Sequence, residues 1–205
     1  STTNSNVRVP GLLIRAPFTT INGFRVVGSL TGDSSGIYAH IRNTTTTSGV
    51  SIIKRGWRLE GNQFGTREEQ ATFYITPALG ERDTFTIKNN GMHLLWTTPW
   101  GQTWTGQHML HWQPTSESAV PMKDWVVSGN RCTLTITPGQ NWEKIMFLGN
   151  LRRAQFTNNT WLFRDSSGVS GGTQAYVLRD SIRECKFTND DIEFRSMDGL
   201  GKLRA

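Results

Sequence analysis

Trp96, Trp100, Trp104 and Trp112 crowd one short stretch of the chain, together with His93, His108 and His111. All four tryptophans share one parity, which on an unbroken strand places their rings on one face. Pro99 and Gly101 interrupt such a strand, so the face is divided across a turn around residues 98–102. An exposed indole can stack on a sugar ring or on a nucleic-acid base, because both offer surfaces that suit a π-system. The same rings can instead fill a core or a subunit interface, where large aromatics supply much of the buried area. Read as a ligand platform, the stretch puts Trp100 and Trp104 in contact with ligand. Arg42, Arg55 and Arg58 are the cations expected to join them.

Other chemistries find less support. His108 and His111 are three apart, a spacing that suits neither one strand face nor zinc without further ligands. No metal site is expected. Asp191 and Glu193 share a face of a short strand, as the two carboxylates of a glycosidase can. Asn189 stands where concanavalin-like glycosidases carry a further carboxylate, so the pair reads as an acidic edge strand. There is no GxSxG elbow, no Walker loop and no GxGxxG, and neither Cys132 nor Cys185 has a histidine near it in sequence. No catalytic residue and no cofactor is expected. Asn43-Thr44-Thr45 and Asn158-Asn159-Thr160 match glycosylation acceptors, but such triplets are common by chance in a chain this rich in Asn and Thr.

The elements that would position these groups read as strands. The chain has 205 residues, enough for one domain with a real core. It carries 26 Thr and 21 Gly, residues of strands and turns. Cys132, Leu134 and Ile136 alternate with Thr133, Thr135 and Thr137, and Ile37, Ala39 and Ile41 alternate with their polar neighbours. Similar runs predict strands over 24–30, 50–59, 84–88, 92–97, 103–112, 125–127, 144–148, 153–157, 161–164, 174–178, 182–187 and 192–194. Asn89-Asn90-Gly91, Ser128-Gly129-Asn130 and Asn158-Asn159 read as tight hairpin turns. Hairpins between adjacent strands imply antiparallel pairing. The expected fold is an all-β antiparallel sandwich or jelly roll with little or no helix. It forms a single domain over 1–205, with 1–8 as a polar leader or stalk end and 196–205 as an extended tail. The start at Ser1 suggests a processed chain or a piece of a longer one. No repeat of fixed period is visible, and no apolar run is long enough to span a bilayer, so membrane insertion is not expected.

Net charge is +6. Residues 1–59 hold seven basic residues against Asp33 alone, while the remainder is balanced. That asymmetry suits a polyanion: a sulfated or sialylated glycan, nucleic acid, or an acidic partner. The cations are spaced singly rather than in a run, which does not favour nucleic acid. The two cysteines read as buried free thiols.

Leu94-Leu95-Trp96-Thr97-Thr98-Pro99 resembles the Leu-Trp-Thr-Thr-Pro stretch at the shaft–head junction of adenoviral fibres, over six residues and with no match around them. The overall character, helix-poor and rich in Thr, Asn, Gly and Trp, is similar to receptor-binding heads of viral or phage surface proteins. That likeness implies a non-catalytic domain that recognises a glycan or host surface receptor. It also implies a homo-oligomer, taken as a trimer, on a virion surface or otherwise extracellular. The alternatives are a capsid shell protein with a basic RNA-facing N-terminal part, and a β-sandwich carbohydrate-active enzyme.

Overall fold

The computed structural model describes residues 7–33, 35–47, 50–52, 56–65, 73–75, 84–96, 110–112, 122–136, 144–165 and 174–196. Every element among them is a strand. The strands fall into three sheets. The first contains Arg8–Val9, Arg25–Val26, Thr45–Thr46, Gln63–Phe64, Gly91–Trp96, Arg131–Ile136, Thr160–Asp165 and Asp191–Ser196. The second contains Leu12–Ile14, Leu30–Gly32, Val50–Ile52, Phe73–Ile75, Leu110–Trp112 with Met122–Lys123, Lys144–Arg152 and Gln174–Arg183. The third contains Thr20–Asn22, His40–Arg42, Arg58–Glu60, Thr86–Lys88, Val126–Ser128, Gln155–Thr157 and Lys186–Thr188.

The chain visits the sheets in rotation, first, second, third, and then first again. Each strand pairs with its counterpart one turn earlier and one turn later. Every ladder among the described residues is parallel. This is a three-sheeted parallel β-solenoid, in which each coil packs on its neighbours and the core runs as a column up the middle. The antiparallel sandwich or jelly roll expected from the sequence is therefore wrong, although the all-strand content stands.

The error lies in the turns. Asn89-Asn90-Gly91 does not fold Thr86–Lys88 back onto Gly91–Trp96; it carries the chain from the third sheet to the first. Ser128-Gly129-Asn130 and Asn158-Asn159 do the same one and two coils on. A type I′ hairpin needs positive φ at both central residues. Here Asn89, Gly129 and Asn158 have φ of 56°, 65° and 58°, and the Asn after each does not share that conformation. One left-handed residue bends the path through a corner, and the next points its side chain inward.

Alternation then builds the core. Ile21, Ile41, Leu59, Ile87, Val127 and Phe156 stack down the inner face of the third sheet, all buried. Val26, Thr46, Phe64, Met92, Cys132 and Trp161 do so down the first. Between the second and third sheets, Ala39, Trp57, Phe85, Trp125 and Ala154 are buried in the next column, three large aromatic side chains between two alanines. Gly32 makes room there, since a Cβ on it would lie 2.4 Å from Cζ2 of Trp57. The Trp57 indole N–H is satisfied by the Gly36 carbonyl. Neither Cys132 nor Cys185 is in a disulfide; Cys132 is buried as expected, whereas Cys185 is only half-buried. Burial pushes the Cys132 thiol up to about 12, so it behaves as a small apolar group.

A polar column runs through this apolar interior. Asn62, Asn90, Asn130 and Asn159 are buried at the corner between the third and first sheets. Each Oδ1 accepts from the residue one coil earlier: Thr44 N–H to Asn62 at 3.0 Å, Asn62 to Asn90 at 2.9 Å, Asn90 to Asn130 at 3.1 Å, Asn130 to Asn159 at 3.1 Å. The amide Nδ2 groups of Asn62, Asn90, Asn130 and Asn159 donate to Ile41, Leu59, Ile87 and Val127 carbonyls. They also donate up the column to the next Oδ1. Both halves of each amide are thus used, which is what burial of an Asn demands. At the far end Asp190 takes the position, accepting from Asn159 N–H at 2.8 Å and from its Nδ2 at 3.0 Å. An ionised carboxylate only accepts, so it suits the last rung of a ladder whose donors all point one way.

Candidate functional site

A flat strand with its inward side chains committed to the core presents the others to solvent in register. On the third sheet the outward residues form two columns parallel to the solenoid axis. The first column holds Thr20, His40, Arg58 and Thr86 in its first four coils, and the second holds Asn22, Arg42, Glu60 and Lys88. Neighbouring positions lie about 4.8 Å apart, the spacing of paired strands.

Charge gathers here. Glu60 stands in register between Arg42 and Lys88. Its carboxylate accepts from Arg58 at 2.8 Å and from His40 Nε2 at 3.1 Å. The Arg58 hydrogen bond, with help from the His40 contact, holds the Glu60 carboxyl below its ordinary value against the opposing pull of burial. Glu60 is the one carboxylate on this face among the described residues of the first four coils. Arg42, Arg58 and Lys88 are all exposed cations. The face therefore keeps an excess of positive charge after Glu60 is counted. Across the corner, Arg8 and Arg25 pair in register on the first sheet, which extends the basic surface toward the N-terminal coils.

Two of the five ligand-binding residues expected from the sequence, Arg42 and Arg58, are thus brought onto one face, one coil apart. Arg55, Trp100 and Trp104 lie outside the described residues, as does His108. Three other tryptophans, Trp57, Trp125 and Trp161, are fully buried in the core. Asp191 and Glu193 are exposed on the last described strand of the first sheet, away from the basic face. No group of three or more His, Cys, Asp and Glu able to hold a metal occurs among the described residues. No helix among them is long and apolar enough to cross a membrane.

Sequence reasoning missed Lys88, His40 and Glu60 as companions of the arginines. Their common signal is position: each of His40, Arg42, Arg58, Glu60 and Lys88 falls two or four residues before the inward-pointing Thr44, Asn62 or Asn90 that follows the left-handed corner residue. Comparison of the chain with protein-family models, with curated proteins and with solved structures gives no match in any of the three.

Proposed function

We propose that the outer face of the third sheet, in its first four coils, binds an anionic glycan, and that the domain is a recognition module. The observation that carries this reading is the set Arg42, Arg58 and Lys88 displayed in register around one neutralised carboxylate, Glu60. A solenoid face repeats at a fixed interval, so it suits a linear polymer better than a compact ligand. Singly spaced cations on a rigid sheet match sulfate or carboxylate groups distributed along a sugar chain. Attachment to a glycan on a host surface, in a homo-oligomer, is one use of such a face.

The test is the affinity of the full chain for a heparin tetrasaccharide across a salt series. Wild type should bind, more weakly as salt rises. Arg42→Ala combined with Lys88→Ala should cost about 1–1.5 kcal/mol, roughly tenfold, and flatten the salt dependence. Lys186→Ala, on the same face but three coils further on, should change little. A double variant that binds like wild type sinks the proposal, and so does wild type that does not bind.

A further inference from the structure

At the corner where the chain enters the third sheet, each coil places one residue in the left-handed region: Phe18, Tyr38, Gly56, Thr84, Asp124, Arg153 and Glu184. Five of the seven are glycine or polar. Phe18 and Tyr38, at φ of 57° and 56°, are not, and a bulky residue gains nothing from that backbone conformation. Burial does not explain them either, because Phe18 is 72% exposed and Tyr38 37%. Their rings are nonetheless ordered against each other, centroids 5.2 Å apart and planes 5° from parallel. The stack is seated on the next coil: a Cβ on Gly56 would lie 2.0 Å from Cδ1 of Tyr38, so only glycine lets that ring settle onto the backbone. One face of Phe18 is covered by Tyr38, so its exposure belongs to the opposite face and the rim. The left-handed corner is common to all seven coils; what sets Phe18 apart is a large apolar ring held flat by Tyr38 and left open to solvent on its other side.

We infer that the open face of Phe18 is a stacking subsite for a pyranose ring, at the end of the basic face. The inference rests on the glycan reading of that face and adds to it the residue that would distinguish a sugar chain from any other polyanion. Tyr38 is two residues from His40, so the aromatic corner column borders the column that carries His40 and Arg58. A pyranose presents a face of weakly positive C–H groups, which the negative face of an aromatic ring attracts. The Phe18 hydroxyl-free ring supplies that contact. Thr20, exposed at the start of the adjacent strand two residues after Phe18, supplies a hydroxyl for the sugar's own hydroxyls. Tyr38 and Gly56 hold the platform in place, so they are positioning residues.

Two polyanions separate the ring from the charge: a heparin tetrasaccharide, which has pyranose rings, and a linear polyphosphate, which has none. Titration of the full chain with each should show Phe18→Ala weakening the tetrasaccharide about threefold to tenfold. The polyphosphate should be unaffected by that change. Phe18→Trp should bind the tetrasaccharide at least as well as wild type. Phe18→Trp keeps a ring on Tyr38 and should unfold like wild type, while Phe18→Ala loses the stack and should unfold no more than about 2–4 °C lower. Equal loss for the two probes, or no loss for either, overturns the subsite while leaving the cationic face standing. If the tetrasaccharide does not bind wild type at all, the glycan reading fails and the subsite with it.

Discussion

Asn130 shows how a single side chain holds two coils together. Its backbone N–H and its Nδ2 both donate to Asn159, its Nδ2 also reaches the Ile87 carbonyl, and its Oδ1 accepts twice from Asn90. Replacing it with Asp keeps the shape and the acceptor but removes the donor. A carboxylate oxygen would then face the Ile87 carbonyl and the Asn159 Oδ1 with no proton between them. Asn130→Asp should cost about 3–5 kcal/mol, the range for a buried charge or acceptor left without its partner. The converse change at the last rung, Asp190→Asn, retains the acceptor that Asn159 uses and should cost about 1 kcal/mol or less. Urea unfolding midpoints at constant slope measure both. Equal losses at the two positions would contradict the directional ladder.

At the scale of the element, the corner before the third sheet is as regular as the Asn column, but its side chains lie outside. Asp124 and Arg153 occupy it in successive coils and form a bidentate pair, at 2.7 Å from Nε and 2.9 Å from the second nitrogen. The Arg153 hydrogen bonds hold the Asp124 carboxyl below its ordinary value. A carboxyl lowered on folding contributes stability above its unfolded value and loses it as pH falls through the folded value. The wild type should therefore lose thermal stability as pH is lowered from about 5 toward 3, and Asp124→Asn should lose less over that interval. Parallel pH profiles for the two would argue against the pair. Because both partners are more than a third exposed, the difference should shrink in high salt.

The strands themselves were legible. Alternation over 84–88, 92–97 and 153–157 finds Thr86–Lys88, Gly91–Trp96 and Gln155–Thr157 to within two residues. Ala39 and Ile41 point inward as their pattern requires. The pairing was not legible, because Asn-Asn and Gly-Asn satisfy a local demand for positive φ that hairpins and solenoid corners share. A signal was present. Leu59-Glu60-Gly61-Asn62, Ile87-Lys88-Asn89-Asn90, Val127-Ser128-Gly129-Asn130, Phe156-Thr157-Asn158-Asn159 and Phe187-Thr188-Asn189-Asp190 repeat one order: apolar, polar, left-handed, inward Asn or Asp. Their ladder partners are separated by 28, 40, 29 and 31 residues, so a search for a fixed period passes over them. Of the site, the basic residues were legible as charges. What the sequence could not convey is that coiling brings Arg42, Glu60 and Lys88 into one column.

For the whole molecule, this coiling sets both stability and recognition. Each coil buries its apolar residues against its neighbours, so the interior is a set of stacked columns rather than two facing layers. The same repetition lines up outward side chains and turns singly spaced cations into a continuous face. On the last described strand of the first sheet Ile192 continues the column of Cys132 and Trp161 and is 39% exposed. Asp191 and Glu193 flank it, both exposed.

All of this depends on Ile87 lying between Leu59 and Val127 rather than opposite Met92. Inter-strand nuclear Overhauser effects from the Ile87 backbone decide the matter. A parallel solenoid gives cross-peaks from Ile87 to the backbones of residues 58–60 and 126–128, and none to Met92 beyond what two neighbouring sheets allow. A strong set linking Lys88 to Gly91 and Ile87 to Met92, the signature of a hairpin across Asn89-Asn90, would contradict the account.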